Sequence, residues 1–403
     1  MNTKELQALV NPSFTIAKGL LNLLISGGDP NAKKLAPYLN LAELSKSSKQ
    51  HNVSPEMMHS FLIGQMVKFE MYNTIALNSG KKTIIDLPCG YVTRCFNVAD
   101  NGQKYYGLDL PIVIDEMKDL TSKIITEKQK DLISFNAVDA TNYHSMREAL
   151  KDVKEEVCII TEGLLVYLSD SELINMCQAI HKLLSEFGGF WITADVSPIN
   201  RIFPFTYNII HQGDKEKVFS LMEKAGSNMS NVQTRTNSLL ANGPEKAKEF
   251  LEKQGFIIKE EPITKYIDKI KWAPADKEEE LKKAYSSINI WTLTIDKKDE
   301  VFNEDTTKFN LESEFVDGIL SVKIEGRLDT LTAPELLKKF KETGGVKSIK
   351  IYVDKMTFIS SAGIRVLEMK TSKLENKDLL EIYGAKDDIK EILIKGGFEK
   401  NIK

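Results

Sequence analysis

The chain has 403 residues, of which 42% are hydrophobic and 28% charged, with a formal net charge of -3. These values exclude wholesale disorder and a fibrous protein, and the length predicts two or three domains. The charge balance gives no global basic footprint for nucleic acid, and no stretch approaches the roughly 20 apolar residues of a membrane helix.

Residues 1–80 read as helices. An amphipathic stretch from Glu5 to Leu24 is interrupted near Asn11-Pro12 and stopped by Gly27-Gly28-Asp29-Pro30. Ser54-Pro55-Glu56 has the form of an N-cap with Pro at the first helical position, so a helix is predicted from there to Leu77. Met1 to Glu5 lacks the apolar region of a signal peptide, which predicts a cytoplasmic chain. The cysteines Cys89, Cys95, Cys158 and Cys177 form no C-x-x-C pair and sit mostly in apolar runs, which predicts buried free thiols and no metal site.

From residue 83 short apolar runs alternate with helical stretches. Strands are predicted at 83–87, 104–109, 133–139, 157–162 and 189–195, with helices at 112–127, 143–152 and 170–185 between them. Alternation of this kind predicts an α/β domain with a mostly parallel sheet. The polar, helical stretch 199–245 breaks the rhythm as an insertion. A helix then runs from Pro244 to Gln254, and two more strands begin at Phe256 and Ile288. The charged, aperiodic segment 297–308 reads as a linker. Beyond it the pattern restarts with strands at 309–315, 319–325, 348–353 and 379–383. Helices are expected at 332–342, from 361, and at 387–395. The expected organisation is an N-terminal helical region 1–80, an α/β domain 81–296, the linker 297–308 and a small α/β domain 309–403.

Four successive strands end in acids: Asp86, Asp109, Asp139 (followed by Ala140) and Glu162. Ligands of open α/β sheets bind outside the carboxyl ends of the strands. The turn after the first strand, Asp86-Leu87-Pro88-Cys89-Gly90-Tyr91-Val92-Thr93-Arg94, has one glycine where a dinucleotide site wants three. A nucleoside cofactor without phosphates needs one close backbone approach and carboxylates for hydroxyls and amines. Asp109 lies about 23 residues beyond Asp86, near the spacing at which an acid reaches ribose hydroxyls.

Taken together, Ile84 to Arg94, Tyr106-Gly107-Leu108-Asp109-Leu110-Pro111, Val138-Asp139 and Thr161-Glu162-Gly163-Leu164-Leu165-Val166-Tyr167-Leu168 resemble the leucine carboxyl methyltransferase family. The resemblance covers about residues 55–295 and implies a Rossmann-like fold that uses S-adenosylmethionine. It implies that Gly90 contacts the methionine part of the cofactor, Asp109 the ribose and Asp139 the adenine border. Glu162 would lie near the cofactor amino group with Tyr167 beside the pocket, and Arg94 matches the ending of the family's turn. Pro88 stands where the family usually has Gly, Val92 where it has Asp, and Lys68 is the one basic residue of the segment Met66–Glu70 upstream. A carboxylate acceptor needs no general base, being ionised at neutral pH. A hydroxyl acceptor would need one, and His211 is the candidate.

In the last domain, Gly326-Arg327-Leu328-Asp329-Thr330-Leu331 and Asp354-Lys355-Met356-Thr357-Phe358-Ile359-Ser360-Ser361-Ala362-Gly363 resemble the STAS domain of anti-sigma-factor antagonists. That resemblance spans about 309–403 and implies a protein partner. It places the phosphorylatable serine on Ser361 and puts Asp329 and Asp354 on family acids that flank the site, with Ser360 where the family usually has Asp. A Ser at a helix start is also favourably placed for a phosphate. The expected function is O-methyl transfer from S-adenosylmethionine, to a protein carboxylate or a small molecule, coupled to a STAS interaction module. The rival expectation is an inactive cofactor-binding regulator. No membrane or nucleic-acid partner is expected.

Overall fold

The computed structural model describes residues 3–11, 14–39, 54–195, 202–214, 216, 238–241, 243–296 and 307–403. The chain divides into two compact units, one of Ser13–Glu300 and one of Met1–Pro12 with Val301–Lys403.

The larger unit is built on seven strands: β1 Thr83–Asp86, β2 Lys104–Asp109, β3 Ile133–Ala137, β4 Val157–Thr161, β5 Gly189–Thr193, β6 Phe256–Pro262 and β7 Asn289–Ile295. They lie in the order β3-β2-β1-β4-β5-β7-β6. All neighbours are parallel except β7, which runs antiparallel to both β5 and β6. β1 and β4 are buried at every residue, as the centre of a sheet covered on both faces requires. The strand order reverses between β1 and β4, and the ends of these strands frame the crevice where such sheets take ligands. Trp191 and Trp291 are the largest fully buried side chains. The Trp191 indole donates to Thr161 Oγ1 at 2.9 Å, so burial leaves its polar edge satisfied.

The helices follow their local signals. Ser54 caps the helix Pro55–Leu77 by accepting from the Met57 amide at 3.3 Å. Ser169 and Glu172 form a capping box at the head of the helix Asp170–Phe187, and Gly188 closes it at φ 75°. The expected helix 112–127 divides into Pro111–Ser122 and Glu127–Lys130, because Thr126 and Gln129 make a capping box of their own. The interruption near Asn11-Pro12 separates the helices Thr3–Val10 and Phe14–Gly27. In the insertion, Ile202–His211 and Ser238–Ala241 are helical, and 217–237 lies outside the described residues. All four cysteines are buried free thiols.

The smaller unit holds β8 Asn310–Val316, β9 Ile319–Leu328, β10 Ser348–Ile359 and β11 Leu380–Tyr383, in the order β11-β10-β9-β8. β8 and β9 form a hairpin turned by Asp317 and Gly318, at φ 51° and 84°, as a tight turn of this hand requires. β9 alternates buried and exposed residues, and β10 runs six residues beyond its expected end at 353. The helices are Ala333–Glu342, Ser361–Thr371 and Asp387–Lys395. The helix Thr3–Val10, from the far end of the sequence, contributes Leu6 and Val10 to this unit's apolar core.

Candidate functional site

Five of the residues expected at the site come together at the carboxyl ends of β1, β2 and β4, in two different roles. Asp86 ends β1 and is fully buried. Its Oδ2 accepts from Arg94 Nη1 at 2.5 Å and from the Tyr105 hydroxyl at 3.0 Å. Arg94 is itself buried, and its Nη2 donates to Glu162 Oε2 at 2.8 Å. One guanidinium therefore bridges the acid that ends β1 and the acid that directly follows β4. The rings of Phe69 and Tyr72 lie 5.9 and 5.5 Å from it. Burial pushes the Asp86 carboxyl up to about 6, with Arg94 pulling the other way. Burial opposes the Arg94 charge, but Asp86 and Glu162 outweigh it and hold the guanidinium protonated.

Asp109 ends β2 and is 7% exposed. Its Oδ2 accepts from the Gly90 amide and its Oδ1 from the Leu110 amide, each at 2.7 Å. The acid thus holds the turn after β1 against the end of β2. Gly90 takes φ 51°, in the left-handed region that favours glycine. Burial raises the Asp109 carboxyl to about 7, against the pull of the Leu110 and Gly90 amides. Each carboxylate oxygen holds one N–H and has a second lone pair for a hydroxyl. Asp139 accepts at Oδ1 from the amide and hydroxyl of Thr141, both at 2.8 Å, which fixes the loop carrying Ala140.

The loop after β4 is held from beyond the sheet. Asp195, just past β5, accepts from the amides of Gly163, Leu164 and Leu165 at 2.8, 2.8 and 3.0 Å. Burial raises its carboxyl, while these amides and nearby Lys68 lower it. Gly163 stands at φ 70° with open space where a Cβ would be. Tyr72 ties the same ends together: its hydroxyl donates to the Thr161 carbonyl at 3.2 Å and accepts from the Ala194 amide at 2.9 Å. Loss of a buried hydrogen-bonding hydroxyl costs about 1 kcal/mol, so Tyr72→Phe is expected to lower the urea midpoint with no change in slope. An unchanged midpoint would remove Tyr72 from this brace.

Neither Asp195 nor Tyr72 was singled out by the sequence. Asp195 was legible as a fifth strand-end acid, and Tyr72 carried no local signal. Tyr167 sits in the short helical turn Leu165–Tyr167 and is partly exposed. His211 is placed differently from the acids. Its Nε2 lies 3.2 Å from His59 Nδ1. His59 precedes Tyr72 by 13 residues on one helix, about 20 Å along its axis at about 1.5 Å per residue. Among the described residues no group of three or more His, Cys, Asp or Glu could hold a metal ion, and no helix is long and apolar enough to cross a membrane.

Residues 26–181 match the family model for leucine carboxyl methyltransferase, and residues 310–403 match that for the STAS domain. No curated protein matches the chain. Among solved structures, a methyltransferase from Thermobifida fusca matches at 13% identity and TM-score 0.38, covering 70% of this chain and 94% of that one. The glycopeptide N-methyltransferase MtfA bound to S-adenosylmethionine matches at 11% and 0.31, covering 55% and 84%. Human N-acetylserotonin methyltransferase matches at 13% and 0.31, covering 60% and 56%. The matched regions make the chain an S-adenosylmethionine-dependent methyltransferase fused to a STAS domain.

Proposed function

We propose that the larger unit transfers a methyl group from S-adenosylmethionine to a carboxylate, giving a methyl ester, and that the STAS domain links this activity to a protein partner. The observation that carries the first half is the pairing of Asp109 with Gly90 at the switch point of the sheet. The donor set fits the cofactor: free lone pairs on Asp109 for ribose hydroxyls, Glu162 Oε1 for the amino group, and the Asp139-Ala140 loop for the adenine edge. Gly90 gives the close approach for the methionine part, with Tyr167 beside it. Asp86 and Arg94 sit below this surface and act by positioning Glu162. The sulfonium supplies an electrophilic methyl group when bound. The residues of the chain orient it and exclude water, since in-line displacement depends mainly on positioning.

A carboxylate acceptor is ionised at neutral pH and asks for no base. The distance of His211 from the strand-end acids along the helix Pro55–Leu77 supports that choice over a hydroxyl acceptor. The product is expected to be a methyl ester that releases methanol in mild base, read by mass spectrometry before and after alkali. A base-stable ether would overturn the carboxylate assignment. The acceptor is a protein carboxylate or a small acid, and the chain acts in the cytoplasm. The working domain limits are 1–80, 81–296 and 309–403, except that residues 1–12 group with the last of these, with the insertion 199–245 selecting the acceptor and 297–308 linking.

The STAS domain acts in the manner of an anti-sigma-factor antagonist. Ser360 caps the helix Ser361–Thr371, accepting from the Gly363 amide at 3.3 Å, and Ser361 is its first residue. Asp329 is buried and turns the chain before the helix Ala333–Glu342 through its bonds to Leu331 and Thr332, at 3.0 and 3.2 Å. A phosphate adds about -1.5 to -2 charges at Ser361, which favours the helix start but repels Asp329 and an acidic partner surface. Ser361→Asp is expected to weaken partner binding at least tenfold, with Ser361→Ala and Ser360→Ala close to wild type. Equal affinity of Ser361→Asp and wild type, with no phosphate on the native protein, would leave a constitutive docking module.

A further inference from the structure

Residues 3–11 lie at one end of the sequence, yet they pack on the smaller unit. The helix Thr3–Val10 lies against the helices Ala333–Glu342 and Ser361–Thr371. Its apolar contacts are Leu6 and Val10, spaced four apart on one face and 5% and 0% exposed. They join Leu336, Leu337 and Phe340 in one apolar cluster. The polar contacts fasten the end of the helix. The Arg365 guanidinium donates to the Val10 carbonyl, and the Asn11 side-chain amide donates to the Thr330 carbonyl at 3.4 Å. A cation on the last carbonyls suits the negative end of a helix.

Two features make this contact exchangeable. An eight-residue helix is marginal alone in water, so Thr3–Val10 is helical because it is docked. Two apolar anchors are also set against the ordering entropy of the whole segment, so docking is reversible. The second helix of the groove begins at Ser361, and Arg365 lies one turn on, on the same face as Ser361.

We propose that the groove between Ala333–Glu342 and Ser361–Thr371 is a helix-binding site, closed in the resting chain by residues 3–11. The partner it admits is an amphipathic helix with an apolar pair at i and i+4 and an open carbonyl end for Arg365. This deepens the reading of the STAS domain as a partner-binding module. It does not depend on phosphorylation or methyl transfer.

The test uses the full chain with Leu6→Glu and Val10→Glu together, and a fluorescein-labelled peptide of residues 1–11 as the probe. In the wild-type chain residues 3–11 already occupy the groove, so that chain should exclude the peptide. The double variant is expected to bind it saturably, at least tenfold more tightly than wild type, and Arg365→Ala added to the variant should weaken binding several-fold. Hydrogen exchange in 333–342 and 361–371 should speed up in the double variant and return towards wild type with peptide. A chain lacking residues 1–11 should behave as the double variant does. No binding by either altered chain while exchange in β9 and β10 stays native would overturn the proposal. So would equal binding to wild type. A concentration-dependent dimer of wild type that the double variant abolishes would assign the groove to a second copy and overturn closure within one chain. None of these outcomes bears on the Ser361 switch, which partner affinity tests separately.

Discussion

Replacing Arg94 by methionine is expected to lower the unfolding free energy of the methyltransferase unit by about 3–5 kcal/mol, the usual cost of removing one partner from a buried ion pair. Methionine fills much of the same volume, so the loss reports the charge. The guanidinium and Asp86 are each about 1% exposed, and Glu162 is 10% exposed. Without Arg94, two carboxylates face each other across the ends of β1 and β4 with no cation between them. The pH dependence has a defined sign. Asp86 already titrates at about 6 in the fold, above its ordinary 3.8, so its ionisation costs stability as pH rises through that window. Removing the cation raises the folded value further and widens the window upward. The gap between variant and wild type in urea unfolding should therefore be larger at pH 8 than at pH 5. Arg94→Lys should recover part of the loss, since an ammonium cannot serve both acids with a planar fork. A gap independent of pH would mean that the loss comes from packing and not from the ion pair.

The difference between legible and illegible features follows how local their causes are. Each of these acids could be found because an apolar run leads to it: Asp86 and Asp109 end β1 and β2 as expected, while Glu162 stands one residue past β4 and Asp139 two past β3. What the run could not tell is which acid faces a ligand. Asp86 and Asp109 have the same local signature, yet one is enclosed by Arg94 and Tyr105 while the other holds backbone amides at the rim. That distinction is set by residues 8 and 19 positions away. Tyr72 was hidden for a stronger form of the same reason, since its partners at Thr161 and Ala194 lie 89 and 122 residues on. The helix Thr3–Val10 has an amphipathic pattern visible from sequence, but nothing local says that its apolar face meets Leu336 and Phe340. The helix limits, by contrast, were set by caps such as Ser54 and Ser169, whose partners lie three residues away.

Asp109→Ala is expected to weaken binding of S-adenosylhomocysteine by about 1.5–3 kcal/mol, roughly 10- to 150-fold, as measured by calorimetry. Two losses contribute. The ribose loses its charged acceptor, and the turn at Gly90 loses the carboxylate that holds its amide at 2.7 Å. The pH dependence separates this role from a purely structural one. The ionised carboxylate is the form that accepts from two amides and two hydroxyls at once, because protonation turns one oxygen into a donor. Asp109 titrates at about 7 in the free protein. Wild-type affinity should therefore fall as pH drops below about 7, approaching tenfold per unit, while Asp109→Asn should be weak and show no such slope. Folding stability moves the opposite way. A carboxyl raised from 3.8 to about 7 binds protons in the folded state first, so acidification through that window stabilises the fold. A fall in affinity on acidification, measured while the urea midpoint holds or rises, can then come only from the site. If affinity and midpoint instead fall together, or if Asp109→Ala binds as wild type does, the ribose assignment fails and Asp109 is left as the support of the Gly90 turn.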